Sequence, residues 1–404
     1  MAPEHCSAQC HWVGFRVSLE VLQEGSAGVS ILLFLSIAVY GYLIIRRWIA
    51  WKRLPVVETG ADRAPSTRLS VIIPVRNEAR HILNLLQDLE QQTYPKALFE
   101  VLVVDDHSDD STATIVEEYR KTSELNLHLV QLAAYEGLTQ KKAAVRKGVE
   151  LSAGELLVLT DGDCRVQPEW LQLYAQVYTS RKPYFISGPV SFHNTHTLFE
   201  RMQLVEFASL IGVGAASIGM GKPNMCNGAN LAYAKEAFEK VGGFSGNEHL
   251  ASGDDEFLLH KIHQKYPGRI AFLKDSRAIV HTEARKTIRS FIAQRVRWAS
   301  KWKSYQQRHV QLVALSVFLV NLLLFAAIPM VLTGMISWFV FAAAYITKFA
   351  IDFLFLMRIL TFFGRKQYLF YMLPLQLVYI PYVLFTAVCG LFGRYSWKGR
   401  IIRN

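Results

Sequence analysis

Apolar positions follow two regimes along the chain. Near the N-terminus, "GVSILLFLSIAVYGYLII" (Gly28 to Ile45) is almost unbroken. Three more such runs fill the last hundred residues: "LVALSVFLVNLLLFAAIPMVL", "MISWFVFAAAYITKFAIDFLFL" and "YLFYMLPLQLVYIPYVLFTAVCGLF". Each has the ~20 residues that a membrane-crossing helix needs, and three in succession exceed what a soluble core requires. Between Arg63 and roughly Glu283 the pattern changes to short strand-like runs alternating with helical periodicity. "LSVIIPV" (Leu69 to Val75), "FEVLVVDD", "NLHLVQL" (Asn126 to Leu132) and "ELLVLTDGD" (Glu155 to Asp163) read as buried strands. Helices are expected between them in "NEARHILNLLQDLEQQ", with Ile82, Leu85, Leu86 and Leu89 on one face and Asn77 as cap, then in "STATIVEEYRK" and "TQKKAAVRKGVELS".

Strand–helix alternation of this kind predicts right-handed crossovers and a mostly parallel, Rossmann-like α/β sheet covered on both faces. Ligands of such sheets bind beyond the carboxyl ends of the strands. Three strands end in polar stretches, "VRNE", "DDHSDD" and "DGD", so a site is expected there. It is not a dinucleotide site of the usual kind. No glycine-rich fingerprint follows the first strand, and "GVGAAS" (Gly212 to Ser217) lacks the third glycine. "GMGKPN" fails as a P-loop, with Ala216 in place of the first glycine and Pro223 in place of the Ser/Thr.

Composition sharpens the membrane reading. Of 404 residues, 51% are hydrophobic, high for a soluble protein. "RRWIAWKR" (Arg46 to Arg53) follows the first run and only Arg16 precedes it within reach, which predicts an uncleaved anchor with its downstream side in the cytoplasm. A cleaved signal would need the opposite charge order and a small-residue cleavage site. The net charge of +11 lies largely beside apolar runs, where it suits anionic headgroups, so nucleic acid is not expected as a partner. Cys6, Cys10, Cys164, Cys226 and Cys389 form no CxxC pair, so neither zinc nor a disulfide framework is indicated. Three C-terminal crossings would put "GRYSWKGRIIRN" outside, against the positive-inside rule; the two prolines of "MLPLQLVYIPYV" mark that run as a candidate re-entrant or interfacial segment.

The candidate chemistry is carboxylate chemistry. In extended backbone, Asp161 and Asp163 of "TDGD" project to one side and could share a divalent ion. An isolated D-x-D is more often a turn or cap, and Asp110 or Ser111 would equally cap the following helix. "ASGDDEFLLHKI" opens a helix with Asp254, Asp255 and Glu256 in its first turn, which the helix dipole alone would favour. "IAQRVRWASKW" reads as an amphipathic interfacial helix. Ile288, Phe291, Ile292, Arg295 and Ala299 lie on one face, and Gln294, Arg297, Trp298 and Lys301 on the adjoining one.

Taken in order, "VIIPVRNE", "VLVVDDHSDDST", "LTDGDCRVQPEWL", "CNGANLAY", "GDDEFLL" and "QRVRW", from about Leu69 to Trp302, resemble the family-2 glycosyltransferases. The resemblance implies an inverting membrane enzyme with a GT-A catalytic domain that uses a nucleotide sugar, with uridine diphosphate the family default. It implies that Pro74, Arg76, Glu78 and Asp106 lie at the nucleoside, and that Asp163, with Asp161, binds Mg²⁺ or Mn²⁺ on the diphosphate. Lys141 would approach that diphosphate, although this chain has Gln140 and Arg146 where relatives often have glycine and asparagine. Asn227, Gly228 and Asn230 would floor the acceptor site. Asp255, beside Asp254, would be the general base. Gln294 and Arg297 would hold the leaving diphosphate, and Trp298 would wall the acceptor.

The expected organisation is an extracytoplasmic segment (1–27), an anchor (28–47), a linker (48–66), a cytoplasmic GT-A domain (67–285), an interfacial helix (286–308), about three transmembrane helices (309–394) and a basic tail (395–404). So few spans favour transfer to a membrane lipid acceptor over processive polymer synthesis. A non-catalytic nucleotide-sugar-binding membrane protein would not be expected to keep base, metal ligands and arginine together. A transporter would need more polar spans; Lys348 and Asp352, at helical spacing, read as an ion pair joining helices.

Overall fold

The computed structural model describes residues 8–57, 65–246, 253–301, 307–392, 395–397 and 400–402. Residues 1–7 of the expected N-terminal segment, 58–64 of the linker and part of the basic tail lie outside them. The chain begins with a long helix, α1 (Ala8–Arg53), whose stretch Ala27–Arg53 is apolar enough to cross a membrane. The helix therefore continues into the region expected to be linker. Lys274 ends it, donating from Nζ to the carbonyls of Trp51 (2.7 Å) and Leu54 (3.4 Å), which satisfies two terminal acceptors.

Among the described residues the α/β domain has one seven-stranded sheet, in the order β3-β2-β1-β4-β7-β5-β8. Its members are β1 (Leu69–Val75), β2 (Phe99–Asp105), β3 (Leu127–Gln131), β4 (Leu156–Leu159), β5 (Phe185–Ser187), β7 (Leu231–Ala234) and β8 (Ile270–Phe272). The four strands expected from the sequence form its parallel half, in register Val75↔Asp105 and Ile72↔Leu159, and β7 joins antiparallel to β4. β6 (Val190–Phe192) pairs separately with β9 (Val280–Thr282).

Alternate residues of the buried strands serve opposite faces. Val71, Ile73, Val101 and Val103 pack with α2 (Ile82–Glu90), α3 (Thr112–Thr122) and α5 (Trp170–Arg181). Ile72, Leu102 and Val104 pack with α4 (Gln140–Leu151), α7 (Lys235–Lys240) and α8 (Asp254–Lys265). The expected faces of α2 are correct, but Asn77 does not cap it. Asn77 takes φ 56° in the preceding loop, where its Oδ1 accepts the Asp109 N–H at 3.0 Å. Asp110, by contrast, accepts the Thr112 N–H at 3.0 Å and so tightens the entry to α3.

The helix α6 (Leu198–Gly219) is opened by a capping box between Thr197 and Glu200. It is buried between the sheet and the remaining apolar helices, α10 (Arg308–Leu332), α11 (Trp338–Phe362) and α12 (Met372–Phe392). Among the described residues five helices, including α6, are long and apolar enough to cross a membrane. α1 and α11 run parallel, linked by Tyr40 with Asp352 and by Trp51 with Phe362. α12 runs otherwise. Gln376 meets Asp352 of α11, Tyr382 meets Glu206 of α6, and Gly390 lies against Ala299 and Ser300. Its far end thus returns to the catalytic domain, alongside α9 (Ile288–Ala299).

Candidate active site

The parallel register brings three loops together at the carboxyl end of the sheet. The first two are laced to one another. The Asp106 N–H donates to Val75 O (2.8 Å), Arg76 Nη1 to Asp106 O (2.7 Å), and the Glu78 N–H to Thr112 Oγ1 (2.8 Å). The third is the Asp161–Asp163 turn. A Cβ on Gly162 would lie 2.8 Å from Val75 Cγ1 and 3.1 Å from Glu78 Cγ, so only glycine lets this turn lie against the end of β1.

Asp106, 3% exposed, accepts the Gln140 N–H at 3.0 Å on Oδ1. Gln140 itself has φ 76°, the left-handed region in which glycine is at ease. The position where relatives often carry glycine therefore keeps a glycine-like backbone with a glutamine on it. This places Lys141 in the site despite the altered motif. Its Nζ lies 2.5 Å from Asp161 Oδ1. Burial disfavours its charge, but Asp161, Asp254 and Asp255 outweigh that and hold its pKa above the ordinary value. Burial, opposed by Lys141 and aided by Asp255, raises the pKa of Asp254.

These loops and α9 enclose a cleft of about 200 Å³. Pro74, Arg76, Glu78, Asp106, Lys141, Asp161 and Asp163 line one part of it; Asn227, Gly228, Asp254, Asp255, Gln294, Arg297 and Trp298 line the rest. Of the site residues expected from the sequence, Asn230 alone falls elsewhere. It is fully buried, accepting from Trp170 Nε1 (2.9 Å) and the Tyr174 hydroxyl (2.7 Å) and donating to the carbonyls of Pro189 (2.7 Å) and Ala278 (2.9 Å). Every hydrogen-bonding group of its amide is engaged in the core, so it holds the loop of Asn227 and Gly228 from behind rather than lining the cleft.

Arg295 also departs from expectation. It does not face a headgroup boundary but is 4% exposed, paired through Nε to Glu206 Oε1 (3.0 Å) and through Nη2 to Oε2. The Tyr382 hydroxyl donates to the same Oε1 at 3.0 Å. Arg295 Nη1 donates to Gln294 Oε1 (2.8 Å), and its guanidinium carbon lies 4.3 Å from the Trp298 ring centroid. Glu206 escaped the sequence reading, although an acid inside the apolar "LVEFASLIG" signals a charge paired elsewhere.

A second, larger cavity of about 620 Å³ lies among α6, α10, α11 and α12. It shares Phe207, Asn227, Asp255, Trp298 and Lys301 with the cleft, so the two meet at Asp255. Lys301 pairs with Glu256 at 3.2 Å at this junction, and Glu256 with Asp255 holds its pKa up against burial.

Among the described residues no group of three or more His, Cys, Asp or Glu side chains forms a metal site. Two carboxylates, Asp161 and Asp163, are what Mg²⁺ or Mn²⁺ takes from a protein when substrate phosphates and water complete the shell. The donor set therefore fits a metal that arrives with a diphosphate.

Residues 70–242 match the profile described as glycosyl transferase family 2. The chain carries a family-2 glycosyltransferase domain. It is 34% identical over 195 residues to "Glycosyltransferase AglE" of Haloferax volcanii, covering 46% of this chain and 58% of the relative. It is 24% identical over 234 residues to "Poly-beta-1,6-N-acetyl-D-glucosamine synthase" of Staphylococcus epidermidis, covering 57% of this chain and 53% of that one. A "Beta-monoglucosyldiacylglycerol synthase" of Trichormus variabilis is 24% identical over 196 residues, covering 48% of this chain and 41% of that one. The chain thus spans about half the length of these curated relatives. The mannosyltransferase PcManGT from Pyrobaculum calidifontis, solved with GDP-Man and Mn²⁺, superposes with a TM-score of 0.56 at 20% identity, over 92% of this chain and 99% of that one. That likeness establishes the GT-A fold, a mostly parallel sheet with helices on both faces.

Proposed function

We propose that the protein transfers a sugar, with inversion, from a nucleoside diphosphate sugar to a hydroxyl of a membrane lipid. The observation that carries this reading is the meeting of the polar cleft and the larger apolar cavity at Asp255. A water-soluble donor and an apolar acceptor can reach one carboxylate from opposite sides. Asp255 takes the proton from the acceptor hydroxyl as its oxygen attacks the anomeric carbon, and the sugar–phosphate bond breaks on the far side. Arg76, Glu78 and Asp106 hold the nucleoside. Arg297 and Lys141 face the charge that develops on the leaving diphosphate. Asp161 and Asp163 would hold a divalent ion there, which supplies further charge stabilisation when bound. The relatives' names include a glucosyldiacylglycerol synthase, and the solved relative binds GDP-Man with Mn²⁺, in keeping with a lipid acceptor and a metal-borne diphosphate.

The protein lies in the cell membrane with its catalytic domain in the cytoplasm, in keeping with Arg46, Arg47, Lys52 and Arg53 at the domain end of α1. In this reading α1, α10 and α11 cross the bilayer, whereas α12 lies along α9 at the interface.

The test incubates membranes carrying the full chain with a panel of labelled nucleotide sugars and separates products by organic extraction and size. A short, organic-soluble product is expected, with Asp255→Asn lowering its rate by roughly 10²–10⁴-fold. A high-mass, insoluble product would instead establish a polymer synthase, and unaltered transfer by the variant would remove Asp255 as base.

A further inference from the structure

α12 lines the large cavity with a mixed face, in which Gln376, Tyr379, Tyr382 and Thr386 stand among apolar residues such as Leu375 and Val383. On the opposite side Leu373, Leu377, Phe385 and Val388 are 55%, 75%, 54% and 48% exposed, a surface suited to hydrocarbon. A cavity meant only for hydrocarbon would need no polar positions on its wall.

A separate polar cluster lies where α1, α11 and α12 meet at the cavity. Tyr40 Oη donates to Asp352 Oδ1 (2.5 Å), while Lys348 Nζ (2.8 Å) and Gln376 Nε2 (3.0 Å) share Oδ2. Lys348 also donates to Gln376 Oε1 (3.2 Å) and is sealed behind the others, 1% exposed. Tyr40, Asp352, Gln376 and Tyr379 line the cavity itself.

Joining helices explains the Lys348–Asp352 pair but not what is left over. Gln376 Nε2 carries two N–H groups, and its hydrogen bond to Asp352 uses one. Among the described residues the Tyr379 hydroxyl makes no hydrogen bond, although it faces the cavity. Polar groups at this depth are costly without partners. Because Lys348 and Asp352 neutralise each other, the group that would complete the set is uncharged.

The distance from the reaction follows from α12. Its Gly390 packs on Ala299 and Ser300, next to the Lys301–Glu256 pair beside Asp255. Gln376 lies about 20 Å back along the helix at 1.5 Å per residue. We propose that Tyr379, Gln376 and Asp352 form a second acceptor subsite. It takes an uncharged hydrogen-bonding group, a hydroxyl or an amide, carried by the lipid about 20 Å from the hydroxyl that Asp255 activates. The proposal rests on the lipid-acceptor reading and narrows it to lipids with two separated polar functions.

The test uses the full chain in phospholipid vesicles with labelled nucleotide sugar and two acceptors, 1-hexadecanol and 1,16-hexadecanediol. The diol has two equivalent ends, so about a twofold advantage is statistical. One added hydrogen bond should raise the kcat/KM ratio to about tenfold. Tyr379→Phe, which keeps the ring and its packing, should return the ratio to about two, as should Gln376→Leu. A wild-type ratio near two, or a high ratio that survives both substitutions, overturns the subsite. Labelling of a total lipid extract with neither alcohol used overturns it as well. If no lipid is labelled and the sugar enters a high-mass product, the lipid-acceptor reading itself fails.

Discussion

Glu206 gives the most demanding test of how the membrane helices position the motif at the cleft. It does not itself line the cleft but grips Arg295 at two points, and both side chains are almost fully buried, at 5% and 4% exposed. Glu206→Ala strands a guanidinium without its counter-charge, which costs on the order of 3–5 kcal/mol when a buried pair is broken. Stability alone would not reveal a functional role. Replacing both partners by apolar residues, Glu206→Leu with Arg295→Met, removes the stranded charge and should recover most of the thermal stability. It does not recover the hydrogen bond to Gln294 or the cation behind Trp298. The double variant should therefore melt near the wild type in detergent yet lose roughly 10²-fold in kcat, the scale of an ångström's misplacement. Donor KM should change little, because Arg76, Glu78 and Asp106 lie on other loops. Wild-type kcat in a stable double variant would refute the positioning role and leave the ion pair as a fastener.

Two further outcomes follow from the cleft. Arg297→Ala should abolish transfer while the protein stays in the membrane fraction, since the apolar helices are untouched; loss of membrane association would mean that α9 serves as an anchor. Gln140→Gly relieves a side chain held at φ 76° and should raise the unfolding midpoint by an amount equivalent to ~1 kcal/mol, with the Asp106 contact and donor KM kept. A lowered midpoint would show that the glutamine side chain itself contributes.

Much of the catalytic domain was legible because its signals are local. β1, β2 and β4 are mostly apolar runs whose polar endings mark loops at the carboxyl edge, so register alone gathers Asp106, Asp161 and Asp163. What stayed hidden depends on segments far apart in sequence. Arg295 looks interfacial until Glu206, 89 residues earlier, is placed against it. Asn230 sits in a motif with Asn227 and Gly228, yet its side chain turns to Trp170 and Tyr174, which no local spacing discloses. α6 gave no periodic signal because it is covered by sheet on one side and apolar helices on the other, so no polar stripe marks a solvent face.

The C-terminal charges conflict with three crossings only if every apolar run is a crossing. α10 and α11 are joined by a tight turn at Gly334 and so lie antiparallel, and α11 ends beside Trp51, at the domain end of α1. α12 then starts on that same side. A crossing would carry Gly390 away from the domain, yet Gly390 packs on Ala299 and Ser300 of the helix that closes the cleft. In the proposed orientation Gly390 therefore stays on the side of Arg46 and Arg53, where positive charge is expected. This course also fits the two sides of α12. A helix lying along the interface presents one side, with the exposed Leu373, Leu377, Phe385 and Val388, to lipid and gives the other, where Gln376, Tyr379, Tyr382 and Thr386 stand among apolar residues, to the cavity.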